Sequence, residues 1–207
     1  MELDHVVVFC ADLAAGARWA EDRLGLRPVA GGAHEGRGTR NVLVGLGSVY
    51  LEVLGPDPDQ PTAAGGWAGL LPAYREPALA TAAFRVDDLD AACARVAAAG
   101  LPTPQPVTMA RPDPAGGRLE WRLAFVEGHP FGNAVPFLIE WGTATHPLAA
   151  LPNAGALVAL RLEHPRADAL DELFVALGFD DVVVDAGEEP RFTAVVETPA
   201  GTVILGD

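Results

Sequence analysis

The stretch that decides the fold is Leu3-Asp4-His5-Val6-Val7-Val8-Phe9, read together with Val49-Tyr50-Leu51-Glu52-Val53-Leu54-Gly55. Both runs are apolar and rich in β-branched residues, which predicts strands buried on at least one face. Side chains alternate along a strand, so His5, Val7 and Phe9 share one face, as do Tyr50, Glu52 and Leu54. A glutamate amid such residues must face water, a partner or a metal, and the histidine is either a hydrogen-bonded core or cleft residue or a ligand. Between the runs, Asp12 is placed to cap a helix over Leu13 to Leu24, with Leu13, Ala17, Ala20 and Leu24 at helical spacing. Gly25 is placed to end it, and Pro28 prevents its continuation. The glycine-rich segment from Gly31 to Asn41 reads as a turn region leading into a strand over Asn41 to Val44. Gly47 breaks that strand, and Val49 to Leu54 completes a βαβββ unit.

The pattern recurs twice. Thr81 to Val86 predicts a strand, and Asp88 caps a helix over Leu89 to Ala99. Strands follow near Val107, over Leu119 to Val126 and over Val135 to Trp141, with a turn-rich excursion from Arg111 to Arg118. A shorter copy begins with a strand over Leu157 to Glu163. Its helix over Asp168 to Leu177 carries Leu170, Leu173, Phe174 and Leu177 on one face, and strands follow over Val182 to Asp185, Phe192 to Glu197 and Thr202 to Leu205. The helix exits Leu24-Gly25-Leu26, Ala99-Gly100-Leu101 and Leu177-Gly178-Phe179 mark the repeat. The expected division is a first module at 1–56, a linker at 57–77 with a helical turn around Trp67 to Tyr74, and a second module at 78–142. A linker at 143–156 and a degenerate, structural third module at 157–207 complete it. The fold class is α+β: paired βαβββ modules forming a curved-sheet cleft, with a third partial copy at the C-terminus.

Composition narrows the function. The chain has 207 residues, half of them apolar and 20% charged, enough for a sizeable core and without a disorder signature. Its formal net charge of -14 repels phosphate backbones and argues against nucleic-acid binding. All 14 basic residues are arginine, which excludes lysine Schiff-base chemistry. Cys10 and Cys93 read as buried core thiols. No apolar run reaches membrane-spanning length and no signal-peptide pattern is present, so a cytoplasmic protein is expected.

Leu3-Asp4-His5-Val6-Val7-Val8, the Asp12-Leu13 helix start, Gly25-Leu26 and Tyr50-Leu51-Glu52 resemble the vicinal oxygen chelate superfamily. That group includes glyoxalase I, extradiol dioxygenases, fosfomycin-resistance enzymes and bleomycin-binding proteins. The pattern Gly31-Gly32-x-His34-x-Gly36-x-Gly38-Thr39-x-Asn41 is similar to its glyoxalase-like branch. The resemblance implies a cleft between two modules, with a metal held by residues on the first and last strands of each. Carried over by position, His5, Glu52 and Glu140 are the implied ligands. Thr81 or Ala80 stands where a second histidine is expected, and Gly206 replaces the glutamate in the third module. One imidazole and two carboxylates suit a divalent ion such as Zn, Ni, Mn, Fe or Mg.

Two functions follow. One is a metal-dependent lyase, isomerase or dioxygenase acting on a small oxygenated substrate, with Glu140 or His34 as proton carriers. The other is a non-catalytic protein of the bleomycin-resistance type, sequestering a small molecule in the same cleft; the acidic charge suits a cationic ligand there. His34 either caps a turn in its glycine-rich loop or swings into the cleft. Tyr50, Arg40, Asn41 and His129 are the expected substrate contacts. His146, before Pro147, is expected to serve a loop, and His164, before Pro165 at a strand end, to be structural. The modules pair within one chain or across a homodimer.

Overall fold

The protein is described by a computed structural model covering residues 1–60, 66–112 and 117–206. The first unit runs β1 (Glu2–Phe9), α1 (Leu13–Leu24), β2 (Val29–His34), β3 (Thr39–Leu46) and β4 (Val49–Pro56). After a short helix α2 (Gly66–Leu70), the second runs β5 (Ala78–Arg85), α3 (Leu89–Ala98), β6 (Val107–Pro112), β7 (Arg118–Ala124) and β8 (Phe137–Glu140). The third contains β9 (Ala156–His164), α4 (Ala167–Leu177), β10 (Val182–Ala186), β11 (Arg191–Thr198) and β12 (Gly201–Leu205). Positions 61–65 of the expected linker and 113–116 of the expected excursion lie outside the described residues.

Local chemistry starts and stops the helices as expected. The Asp12 carboxylate accepts from the N–H groups of Ala14 and Ala15, and Asp88 accepts from Ala91. Gly25, Gly100 and Gly178 leave the helices at φ of 69, 86 and 75°, a region costly for other residues. The glycine-rich segment differs from expectation: its first part is the strand β2, paired with β3. Its glycines are tolerated there because the backbone passes close to neighbouring side chains, as described below for Gly31 and Gly32.

The first two units share one eight-stranded sheet in the order β2-β3-β4-β1-β5-β8-β7-β6. In each, the first strand pairs in parallel with the last, and β1 and β5 join the units antiparallel. The outermost strands curl toward each other. The Glu35 N–H donates to the Ala110 carbonyl at 3.3 Å, and Arg118 pairs with Glu35 at 3.0 Å. The sheet is therefore nearly closed on itself, with an interior.

Its two faces carry different cores. Val6, Val8, Leu51, Val53, Phe84 and Leu138 face the helices, whereas Val7, Phe9, Ala83, Phe137, Ile139 and Trp141 face the interior. The side chains Val6 to Phe9 are wholly buried. At about 1.5–3 kcal/mol for each large apolar side chain, this run is enough to hold β1 central despite the polar groups it carries inward.

The third unit repeats the β-α-β-β-β element sequence with a different strand order, β10-β9-β11-β12. Here the strand after the helix, not the last one, is the parallel partner of the first. This four-stranded sheet covers the back of the large one. Phe179 packs on Phe84 with ring centres 4.3 Å apart, and Asp181 accepts from the Leu3 N–H at 3.0 Å. Among the described residues, no helix is long and apolar enough to cross a membrane.

Candidate functional site

The interior of the large sheet encloses a cavity of about 510 Å³. Tyr50, Trp67, Trp121, Phe125, Phe137 and Trp141 make its walls largely aromatic. A polar group of His5, His34, Thr39, Asn41, Glu52 and Arg111 is built into the same lining. Most of that group comes from the first unit, because β1, β3 and β4 are adjacent and their inward positions coincide.

Register explains the placement. His5 pairs with Tyr50 and Val7 with Glu52, so the histidine and glutamate sit on neighbouring strands one step apart. Their side chains meet, His5 Nε2 lying 3.3 Å from Glu52 Oε2. Asn41 Nδ2 donates to Glu52 Oε1 at 2.6 Å and lies 3.3 Å from His34 Nε2. His34 Nδ1 lies 2.9 Å from Thr39 Oγ1, which holds the ring. Asn41 Oδ1 is the one buried side-chain polar atom with no hydrogen-bond partner among the described residues. It lies against Gly31, where a Cβ would overlap it. The glycine thus makes room for the asparagine that orients Glu52.

Behind His5 stands Asp4, which the sequence reading did not single out. Strict alternation turns Asp4 to the helix side, but β1 shifts register against β5 between Leu3 and His5, and the extra residue brings Asp4 to the interior side. Its Oδ1 accepts from His5 Nδ1 at 2.6 Å, and its Oδ2 accepts from Trp141 Nε1 at 3.1 Å. His146 Nε2 bonds the same Oδ2 at 2.8 Å while its Nδ1 accepts from the Leu148 N–H, so Nε2 is the donor. His146 therefore ties the segment after β8 to the site as well as capping a 3-10 turn. The available signal was a carboxylate in a buried strand beside a histidine.

These contacts set the charges. Burial pulls His5 down, but the bonds to the Asp4 and Glu52 carboxylates outweigh it and raise its pKa to about 9. Burial pushes Glu52 up and is outweighed by the His5 bond, so it is held below the usual carboxylate range. The same holds for Asp4, through His146 and His5. Burial, reinforced by the Arg111 charge, keeps His34 neutral against the pull of Glu52. Burial, with the Asp4 and Glu52 charges, keeps the Tyr50 phenol protonated. At neutral pH the centre holds an imidazolium between two carboxylates, with Tyr50 stacked on it at 4.5 Å.

Several expected site residues lie elsewhere. Glu140 is the main correction: Phe137, Ile139 and Trp141 point inward, so Glu140 points to the helix side with Leu138. There it accepts from the Leu89 N–H at 3.0 Å, at the start of α3, and from Arg122 at 3.0 Å. A one-residue difference in strand parity separates it from the expected ligand position. Arg40 reaches outward to Asp57 and Asp59. His129 bonds the Val126 carbonyl and packs on Phe131, away from the cavity lining. Tyr50, Asn41 and His34 do line the cavity.

The implied divalent metal fits this arrangement poorly. Across the sheet from His5 stands Ala83, and beyond it Phe137, so these strands of the second unit bring apolar groups to the position. Both Glu52 oxygens and both Asp4 oxygens already have protein partners. Among the described residues, no three His, Cys, Asp or Glu side chains are grouped to hold a metal ion.

The sheet topology and cleft are those of the vicinal oxygen chelate superfamily. The family model described as a glyoxalase-like domain matches residues 3–178, and the chain belongs to that family. Among solved structures it resembles a hypothetical protein from Staphylococcus aureus, with TM-score 0.67 and 14% identity over 100% of this chain and 86% of that one. It also resembles a mutant 4-hydroxymandelate synthase from Streptomyces coelicolor, with TM-score 0.56 and 18% identity over 100% of this chain and 63% of that one. A methylmalonyl-CoA epimerase from Mycobacterium tuberculosis aligns at 29% identity and TM-score 0.46 over 72% and 91% of the respective chains. No curated protein matches.

Proposed function

We propose that the cavity binds one small oxygenated molecule and catalyses a proton transfer next to a carbonyl, in the manner of an isomerase or lyase, without a resident metal. The observation that carries this reading is the buried pair of His5 and Glu52 at the cavity wall, 3.3 Å apart and backed by Asp4. That contact is long enough for a substrate oxygen to replace it. The His5 Nε2–H then donates to the carbonyl oxygen, where negative charge develops. Glu52 takes the proton from the adjacent carbon, and the C–H electron pair moves into the enolate held by the imidazolium. Losing the His5 bond raises the basicity of Glu52 at the step that needs it. Return of the proton to either face of the carbon gives isomerisation; loss of a leaving group from the enolate gives elimination. Asn41 keeps the Glu52 carboxylate oriented, and the neutral His34, 3.9 Å from it, is placed to relay a proton.

The test is deuterium incorporation. Chelator-treated protein is incubated in D2O with small keto acids and aldehydes, and loss of the α-proton signal is followed by NMR. Exchange at least tenfold faster than in Glu52→Gln supports the reading. A second reading, sequestration without turnover, is favoured by the mainly aromatic lining. Ligand binding with no exchange above that of Glu52→Gln selects it.

A further inference from the structure

The net charge of the chain points to a cationic ligand, but the cavity itself does not. Strand register gives the cavity two unlike walls. His5, His34, Thr39, Asn41 and Glu52 all stand on β1 to β4, the strands of the first unit. On β7 and β8, the pairing of Leu123 with Ile139 and of Arg122 with Glu140 sets the rows. Trp121, Leu123 and Phe125 turn inward from that side, as do Phe137, Ile139 and Trp141. The charged residues of these two strands, Arg118, Glu120, Arg122 and Glu140, are not in the lining. Trp67 of α2 closes against the same wall, its ring centre 4.9 Å from that of Phe125 and 5.0 Å from that of Phe137. The two walls meet at His5, whose ring centre is 5.6 Å from that of Phe137.

The charges at the polar wall are paired within the protein. Asp4 accepts from His5, Trp141 and His146, and Glu52 accepts from Asn41 with His5 3.3 Å away. Arg111 on β6 runs past Gly32, where a Cβ would stand 3.2 Å from its Cδ, and it has an interaction of its own within the protein. The other charged lining residues, Arg37 and Glu127, are exposed and opposite in sign. A ligand with a net charge would be buried against apolar rings and would have to break a pairing already made, which is costly. A neutral carbonyl needs only the His5–Glu52 contact to open. Rings gain from edge-to-face pairing beyond the area they bury, and Trp67 already meets Phe125 and Phe137 in this way.

We propose that the substrate class of this cavity is an uncharged carbonyl compound with an aromatic body. Its carbonyl meets His5 and Glu52, and its ring packs among Trp67, Trp121, Phe125 and Phe137. The inference rests on the proton-transfer reading of the same site. It adds a division of labour, in which the first unit carries the chemistry and the second selects the substrate.

Calorimetric titration of the full chain with phenylacetone, cyclohexylacetone, phenylacetate and phenethylammonium tests it. The ammonium ion is included because ring faces attract cations. Phenylacetone is expected to bind at least tenfold tighter than either ion and at least threefold tighter than the cyclohexyl ketone. In Trp121→Leu and Phe125→Leu the preference for the phenyl over the cyclohexyl ketone falls to within about twofold. Thermal melts establish that each variant is folded, and the wild-type ratios decide the matter if neither is. Equal or tighter binding of the acid, of the ammonium ion or of the cyclohexyl ketone overturns the proposal. So does no binding by any of the four, or an unchanged ring preference in both folded variants. The proton-transfer reading fails separately. Glu52-dependent exchange confined to charged or aliphatic carbonyl compounds leaves that reading standing and removes this one. Selective binding of phenylacetone without exchange of its benzylic protons does the reverse.

Discussion

Asp4 and His5 are consecutive on one strand, yet the Asp4 carboxylate lies 2.6 Å from His5 Nδ1, because a register shift in β1 turns both side chains to the same side. This contact fixes the ring so that Nε2 faces Glu52, and together with Glu52 it keeps His5 charged against the cost of burial. Asp4→Asn is expected to lower the His5 pKa from about 9 by at least one pH unit. Nitrogen-detected NMR titration of the imidazoles reads this directly. Asp4→Ala leaves His5, His146 and Trp141 without a shared buried acceptor and is expected to cost about 3–5 kcal/mol of stability.

The same charges predict how stability depends on pH. His5 has a folded pKa raised from 6.5 to about 9, so its contribution is complete below 6.5 and is lost as pH rises through 9. That contribution is on the order of 3 kcal/mol. His34 is lowered, so the native state resists its protonation and stability falls as pH drops below 6.5. The lowered Asp4 and Glu52 act in the same direction at lower pH, their contribution being lost below the usual carboxylate range. Chemical unfolding across pH 4 to 10 is expected to show maximal stability near 6.5. A stability still rising between 7 and 9 contradicts these assignments.

Glu140 and Glu52 are expected to separate cleanly by substitution. Glu140→Gln weakens the start of α3, costing about 1 kcal/mol there, loosens the Arg122 contact, and leaves ligand affinity unchanged. Glu52→Gln abolishes proton exchange while the protein stays folded. Parallel melts and exchange assays compare them, and a loss of exchange in Glu140→Gln returns that residue to the site.

Much of this architecture was legible in the chain. The Asp12 and Asp88 caps, the glycine helix exits and the period-2 faces of β1 and β4 are local signals, and local physics decides them. The common face of His5, Val7 and Phe9, and that of Tyr50, Glu52 and Leu54, follow from alternation. Glu140 shows where such reasoning stops: its strand is visible, but which face turns inward depends on pairing with β5 and β7. Asp4 was hidden for a related reason, since a bulge created by the partner strand reverses the parity that the sequence implies. β2 was obscured by its glycines, which serve close approach to Asn41 and Arg111 rather than a turn.

The third unit is predicted to be integral to stability. Phe179 fills the space against Phe84 and Phe174 in the core behind β5, and Phe179→Ala is expected to cost about 3–5 kcal/mol. One cooperative transition shifted to lower denaturant is the expected unfolding curve; an unshifted curve contradicts the packing role.

In the proposed reaction His5 and Glu52 transfer protons without a metal. The most direct measurement is α-proton exchange in D2O by chelator-treated wild-type protein, before and after loading with Zn, Ni, Mn, Fe or Mg. Exchange that is present after chelation, indifferent to loading and lost in Glu52→Gln is the predicted result. Exchange that is absent after chelation and appears only with one of these ions contradicts it.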